Sequence, residues 1–230
     1  MMPEPLGFEY SLIRSDRRTL SVKITRDARV EVHAPKRMGV REIEKFLFEK
    51  RLWIQKHLSQ TEANQQSAAA FLPDENSKLL LLGREYPLTK TDGKGSGFDG
   101  ERFFLPSSIS REEVVPALRE IYRAIAKQYI PERTAALAGS FSESVNSVKI
   151  NSARTRWGSC SSKGNINFSL FLVMAPPSAV DYCIIHELSH LKHMDHSKAF
   201  WQLVESRDPE YKAHIQELKK LQMRLAGEQW

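Results

Sequence analysis

The sequence holds only two cysteines, Cys160 and Cys183, in 230 residues. Two thiols cannot staple a chain of this length, so a disulfide scaffold is excluded and apolar burial must supply the stability. Long apolar runs are also missing. Residues 170–177 form one of the longest, far short of the roughly 20 residues that cross a bilayer. The first ten residues carry Pro3, Glu4, Pro5 and Glu9, with no basic segment leading into an apolar one. No secretory leader is expected from them, and the expectation is a cytoplasmic chain with reduced thiols. A Gly-x-x-x-x-Gly-Lys-Ser/Thr loop is absent, and so is a carboxylate cluster suited to magnesium. Both absences weigh against nucleotide hydrolysis.

What is present is an ordinary globular balance. Hydrophobic residues make up 41% and charged residues 27%, enough apolar material for a sizeable core. The net charge of +6 is uneven. Residues 1–58 hold 13 basic against 8 acidic side chains, and residues 111–176 hold 9 against 5. Residues 177–230, where most histidines lie, hold 7 against 8. A mild basic excess is usually a solvated surface; nucleic acid is the alternative partner that it would suit.

Residues 10–25 and 29–34 alternate as strands do, with Leu20, Val22 and Ile24 on one face and a turn at Arg26-Asp27-Ala28. Residues 41–58 carry a helical stripe of Ile43, Phe46, Leu47, Trp53, Ile54 and Leu58. The polar stretch 59–77 reads as a linker or a mobile loop. Residues 79–82, 86–91 and 102–105 read as strands around the glycine-rich loop 92–100. Ser110-x-x-Glu113 is a capping box that opens a helix to about Leu137. Residues 148–152 and 165–172 are strand-like, with a turn at 161–164. Ser178-x-x-Asp181 reads as a second capping box, opening a helix with Val180, Ile184, Leu188 and Leu191 on its buried side. A helix over 197–206 comes next, then one capped by Asp208 with Pro209 at its first position.

The chemistry-bearing stretch is His186-Glu187-Leu188-Ser189-His190. On a helix, residues four apart lie about 40° apart and one turn along, so both imidazoles can reach one cation. The intervening glutamate can reach a water on that cation, which is the logic of the zinc-peptidase motif. A catalytic site needs a third protein ligand. His196 lies roughly 240° round and 9 Å along from His190 on a continued helix, so it reaches the metal only if the helix stops first. His196 is favoured, with His193, Cys160, Glu205 and Glu210 as rivals. The spacing of the three histidines equals that of the long metzincin motif, but His193 stands where that motif has its turning glycine. Cys183 reads as packing.

Around this stretch the sequence resembles the YgjP-like metallopeptidase-domain family, related to the SprT-like zinc proteins. The matching pieces are Arg156-Trp157-Gly158-Ser159-Cys160, Ile166-Asn167, Asp181-Tyr182, the 186–190 run, and His196-Ser197-Lys198-Ala199-Phe200-Trp201. The 17–22 segment and Trp53-Ile54 also resemble that family's N-terminal region. The resemblance implies a zincin-like catalytic domain, one zinc ion on His186, His190 and His196, and Glu187 as the catalytic base.

The resulting fold expectation is α+β: a small β-rich N-terminal part with one helix and a linker over 1–75, then a zincin-like catalytic domain over 76–230. In zincins an edge strand beside the metal pairs with an extended substrate. Arg156 and Trp157 are therefore candidate substrate-binding residues, with Asn167 beside them. The plainer account has Trp157 in the core and Gly158 in a bulge. Arg156, His193 and Tyr211 are candidates for a second electrophile. Asp181 and Asp195 are candidates for orienting the histidines. The leading function is peptide-bond hydrolysis on a peptide or protein substrate. The alternatives are a phosphoanhydride hydrolase, a DNA-associated zinc protease and an inactive structural zinc domain.

Overall fold

The computed structural model describes residues 6–25, 27–70, 72–228 and 230, with backbone alone for 64–70. Met1 to Pro5, part of the segment read for a leader, and Arg26 of the expected turn lie outside them. Among the described residues the architecture is mixed α+β, with five α-helices and three small sheets. No helix in them is long and apolar enough to cross a membrane. The chain divides into two compact units, Met1–Phe71 and Leu72–Trp230.

In the first unit, β1 (Tyr10–Ser15) pairs in parallel with β3 (Val30–Pro35), and β2 (Ser21–Ile24) pairs antiparallel on the other side of β3. The alternation seen over 10–25 is therefore two strands on opposite flanks of β3. Helix α1 (Val40–Ala70) covers this sheet. Val30, Val32 and Ala34 alternate inward and meet Ile43, Leu47 and Ile54 in the core. Arg14 Nη1 donates to the carbonyls of Pro35, Lys36 and Met38, closing the path from β3 to α1. The helix runs twelve residues beyond Leu58, through most of the stretch expected as a linker. Residues 59–70 contain neither glycine nor proline and are rich in alanine and glutamine, which favour helix. The polar stretch is therefore helix as far as Ala70, not loop.

The second unit opens with a sheet ordered β4 (Lys78–Leu81), β5 (Arg84–Thr91), β7 (Phe103–Pro106) and β6 (Gly97–Phe98). The glycine-rich stretch 92–100 thus contains a short strand. Helix α2 (Arg111–Ser140) packs on it, and the Tyr122 hydroxyl donates to Leu80 O at 2.7 Å. At its start, the Glu113 carboxylate accepts from both the N–H and the hydroxyl of Ser110, at 3.1 and 2.8 Å. The remaining sheet is ordered β8 (Ser147–Asn151), β10 (Asn165–Ser169) and β9 (Gly158–Cys160), leaving β9 at an edge. Strand β10 stops at Ser169, short of the expected 172. The Ser169 hydroxyl accepts from Phe171 N–H and begins a 3-10 helix over Leu170–Met174.

Three helices complete the unit: α3 (Pro177–Ser189), α4 (Lys198–Arg207) and α5 (Tyr211–Ala226). Two expected caps are corrected. Helix α3 starts at Pro177 with Pro176 as N-cap, not at a Ser178 box, because Asp181 is engaged elsewhere. Its carboxylate takes both Nε and Nη2 of Arg133 on α2, each at 2.6 Å. Helix α5 starts at Tyr211 with Glu210 as N-cap. The buried Asp208 ends α4, two residues earlier, but its carboxylate still accepts from Glu210 N–H at 3.2 Å as a cap does, and from His214 Nδ1 at 2.8 Å.

The start of α3 is braced by the β4–β5 turn. Leu82 and Gly83 both have positive φ, 48° and 74°, the pattern of a two-residue hairpin turn. Their N–H groups donate to Val173 O and Met174 O. A Cβ on Gly83 would lie 2.9 Å from Pro176 Cα. Gly83→Ala is expected to cost about 1–3 kcal/mol of stability, from strained backbone and overpacking. Urea unfolding checks it; an unchanged midpoint would mean that this contact does not brace the helix.

Candidate metal centre

Helix α3 is buried on nearly every side, including Ala179, Val180, Ile184, Ile185 and Leu188. Its last turn carries His186 and Glu187, and His190 is its C-cap. There the ladder tightens: His190, Leu191 and Lys192 donate to the carbonyls three residues back, at 3.2, 3.0 and 3.1 Å. The chain then leaves the helix axis. None of residues 190–197 has a positive φ, so the turn needs no glycine where His193 stands. His193 contributes its carbonyl, which accepts from His190 Nδ1 at 3.0 Å. That bond leaves the His190 Nε2 lone pair available. Asp195 Oδ1 accepts from Ser197 N–H, and the Ser197 hydroxyl caps α4 by accepting from Phe200 N–H.

The turn brings His196 back over α3. Its Nε2 lies 3.1 Å from His186 Nε2, and one ligand atom from each of His186, His190 and His196 falls within 4.8 Å of the others. Two ring nitrogens facing each other at that distance must share a proton or a cation. Burial, reinforced by His190 and His196, pushes the His186 pKa down to about 3. His190 is also lowered, chiefly by burial. Neutral imidazoles are what a metal requires. Among the described residues, His193, Cys160, Glu205 and Glu210 do not join this group.

Phe200 sits beneath the cluster, its ring 4.9, 4.6 and 4.8 Å from those of His186, His190 and His196. Trp201 stacks on His196, and Tyr211 stacks behind Trp201. Tyr211 is thus second in a stack, not adjacent to the histidines. Tyr182, one turn before His186, places its hydroxyl 3.5 Å from His186 Nδ1. Tyr182 has no role in the sequence-based expectations, although its i,i+4 spacing to His186 is the same signal that pairs the histidines. Asp181 faces Arg133 and not the cluster. Asp195 stays near it, and its charge favours the protonated form of His190.

Glu187 is only 5% exposed, and burial pushes its carboxyl up to about 8, opposed by the positive charge of Arg156. Edge strand β9 lies directly against it. A Cβ on Gly158 would meet Glu187 Oε1 at 2.5 Å, so any other residue there would displace the carboxylate. The close approach at Gly158 thus serves Glu187. Trp157, Gly158, Tyr182, His186, Glu187 and Leu218 line a cleft of about 230 Å³. Trp157 is half-buried with its carbonyl accepting from Ser169 N–H at 2.8 Å, and Arg156 is exposed. Asn167 stands opposite Ser159 across the β9–β10 pair.

A model of the YgjP-like metallopeptidase domain matches residues 18–221. The chain belongs to this YgjP-like family. Such a metallopeptidase family implies a metal cofactor, and the three-histidine group is compatible with holding one. No curated protein matches the YgjP-like chain. A crystal structure of the metallopeptidase zymogen of Pyrococcus abyssi abylysin aligns with 25% identity, over 40% of this chain and 95% of that one, at a TM-score of 0.35.

In the metal-free protein Glu187 and His186 act on stability in opposite directions. Glu187 binds its proton more tightly folded than unfolded, so its contribution is present below pH 4.5 and is lost as pH rises through 8. His186 contributes above pH 6.5 and loses that contribution as pH falls towards 3. Metal-free Glu187→Gln should therefore gain on the wild type between pH 5 and 8 in urea midpoints. Curves that stay parallel would show that burial does not hold the carboxyl protonated.

Proposed function

We propose that the chain is a zinc-dependent peptidase in which His186, His190 and His196 hold the ion and Glu187 is the general base. The observation that carries this is the convergence of three imidazoles beside one buried carboxylate, against an edge strand. The donor set suits zinc, which favours three nitrogen ligands and an open fourth position in catalytic sites. Nitrogens at about 2.0–2.1 Å from a tetrahedral ion lie roughly 3.3 Å apart, close to the 3.1 Å between His186 and His196.

When bound, zinc supplies Lewis-acid polarisation and lowers the pKa of water towards about 7. The protein's own groups do the rest. A cation beside Glu187 pulls its carboxyl back down from its raised value, making it a base near neutral pH. It takes a proton from the attacking water and hands it to the leaving amine. His190 is oriented by His193 O, and Tyr182 stands behind His186. The free edge of β9 offers backbone donors and acceptors to an extended peptide. Arg156 and Trp157 precede this strand and would meet that peptide, Arg156 through its charge and Trp157 through the cleft that it lines.

Purified without chelator, the protein is expected to carry about one zinc per chain by elemental analysis and to cleave members of a peptide library. Glu187→Gln should keep the zinc and lose about 10²–10⁴ in turnover. Wild-type turnover in that variant would remove Glu187 from the role. Cleavage of nucleotides in place of peptides would replace the peptidase reading.

A further inference from the structure

Helix α2 ends far from the histidines in sequence, yet its cap reaches the segment that carries His196. Ser142 adopts φ 54°, its N–H donates to Gly139 O, and Glu143 N–H donates to Ala138 O. This is the paired-bond cap that usually has glycine at the left-handed position. A serine is strained in that conformation where a glycine is not, so contacts of a neighbouring residue hold it there. That neighbour is Glu143, whose side chain is only 8% exposed.

Two cations converge on Glu143 Oε1. Arg207 Nη2 donates to it at 2.5 Å and Lys192 Nζ lies 3.2 Å away. Arg207 is the last residue of α4, with a side chain 6% exposed and a guanidinium 4.4 Å over the Phe141 ring. Lys192 lies two residues after His190. Burial works against ionisation of Glu143, but the bonds from Arg207 and Lys192 outweigh it and keep the carboxyl below its usual range.

The chain between those cations holds His196, Ser197, Phe200 and Trp201. We propose that Glu143 is a positioning residue for the third histidine: one carboxylate, fixed by the cap of α2, ties down both ends of the segment that returns His196 to the cluster. This rests on the assignment of His186, His190 and His196 as metal ligands. His186 and His190 sit on a helix buried almost all round and need no tether. His196 is exposed and is held by its flanks. Without Glu143, Arg207 would be buried without its charge partner, and its Nη1 already has no acceptor. The segment would relax to hydrate the guanidinium, and His196 would move with it.

Cobalt(II) is the probe, since its visible absorption reports the number of ligands. Its affinity is read by chelator competition in the wild type, Glu143→Gln, His196→Ala and the double variant. Glu143→Gln keeps the size and loses the charge. It should weaken affinity about 10–100-fold, as loss of an orienting partner does, and move the spectrum towards that of His196→Ala. In the His196→Ala background it should cause no further loss. Lys192→Gln guards against misfolding, because Lys192 is half exposed and its loss unties only one end. It should show a smaller loss of the same kind. Equal weakening in both backgrounds, or none in either, would overturn the role of Glu143 and leave the metal reading intact. A wild type that takes up no cobalt would overturn both.

Discussion

Three imidazoles can share one cation only if the chain turns back after the second, and the rest of the site depends on that turn. A helix continued past His190 would carry His196 around to the far side and about 9 Å along. Here α3 ends at Ser189, its final bonds shorten to three-residue steps, and His193 O accepts a hydrogen bond from His190 Nδ1. One stretch of backbone thus does two things. It swings His196 onto His186, and it sets the tautomer of His190. The Ser197 cap then launches α4 at the angle that slides Phe200 under all three rings.

The electrostatics arise from burial more than from charge pairing. Glu187 and His186 are both shielded from water, and each is driven towards its neutral form. Neutral imidazoles keep the lone pairs that a cation needs. The glycine at 158 completes this, because strand β9 can lie against the Glu187 carboxylate only where a side chain is missing. The same approach leaves the outer edge of β9 open.

Much of this is legible in the sequence where the signal is local. The spacing of His186, Glu187 and His190 needs only a helix, and the apolar stripe through Val180, Ile184 and Leu188 supplies it. The sequence states the condition that the helix stop before His196, but not the device that stops it, since the glycine expected there is a histidine. Long-range pairings are out of its reach. Asp181 looks like a cap because its partner, Arg133, lies 48 positions earlier. Asp208 does accept from Glu210 N–H ahead of α5, and its second bond, from His214 on that same helix, is local but carries no sequence signal of its own. Gly158 reads locally as a bulge, and nothing near it in sequence points to the carboxylate of Glu187 that lies against it. The polar stretch 59–77 suggests a linker because a polar helix and a loop share a composition, and only the absence of glycine and proline over 59–70 marks the helical part.

In the proposed site three histidines, and no sulfur, hold the metal. X-ray absorption at the zinc edge on the zinc-loaded protein tests it most directly. Three imidazole nitrogens at about 2.0–2.1 Å are expected, with a light atom in the remaining position. A sulfur at about 2.3 Å, which would bring in Cys160, or only two imidazoles in the fit, would contradict it.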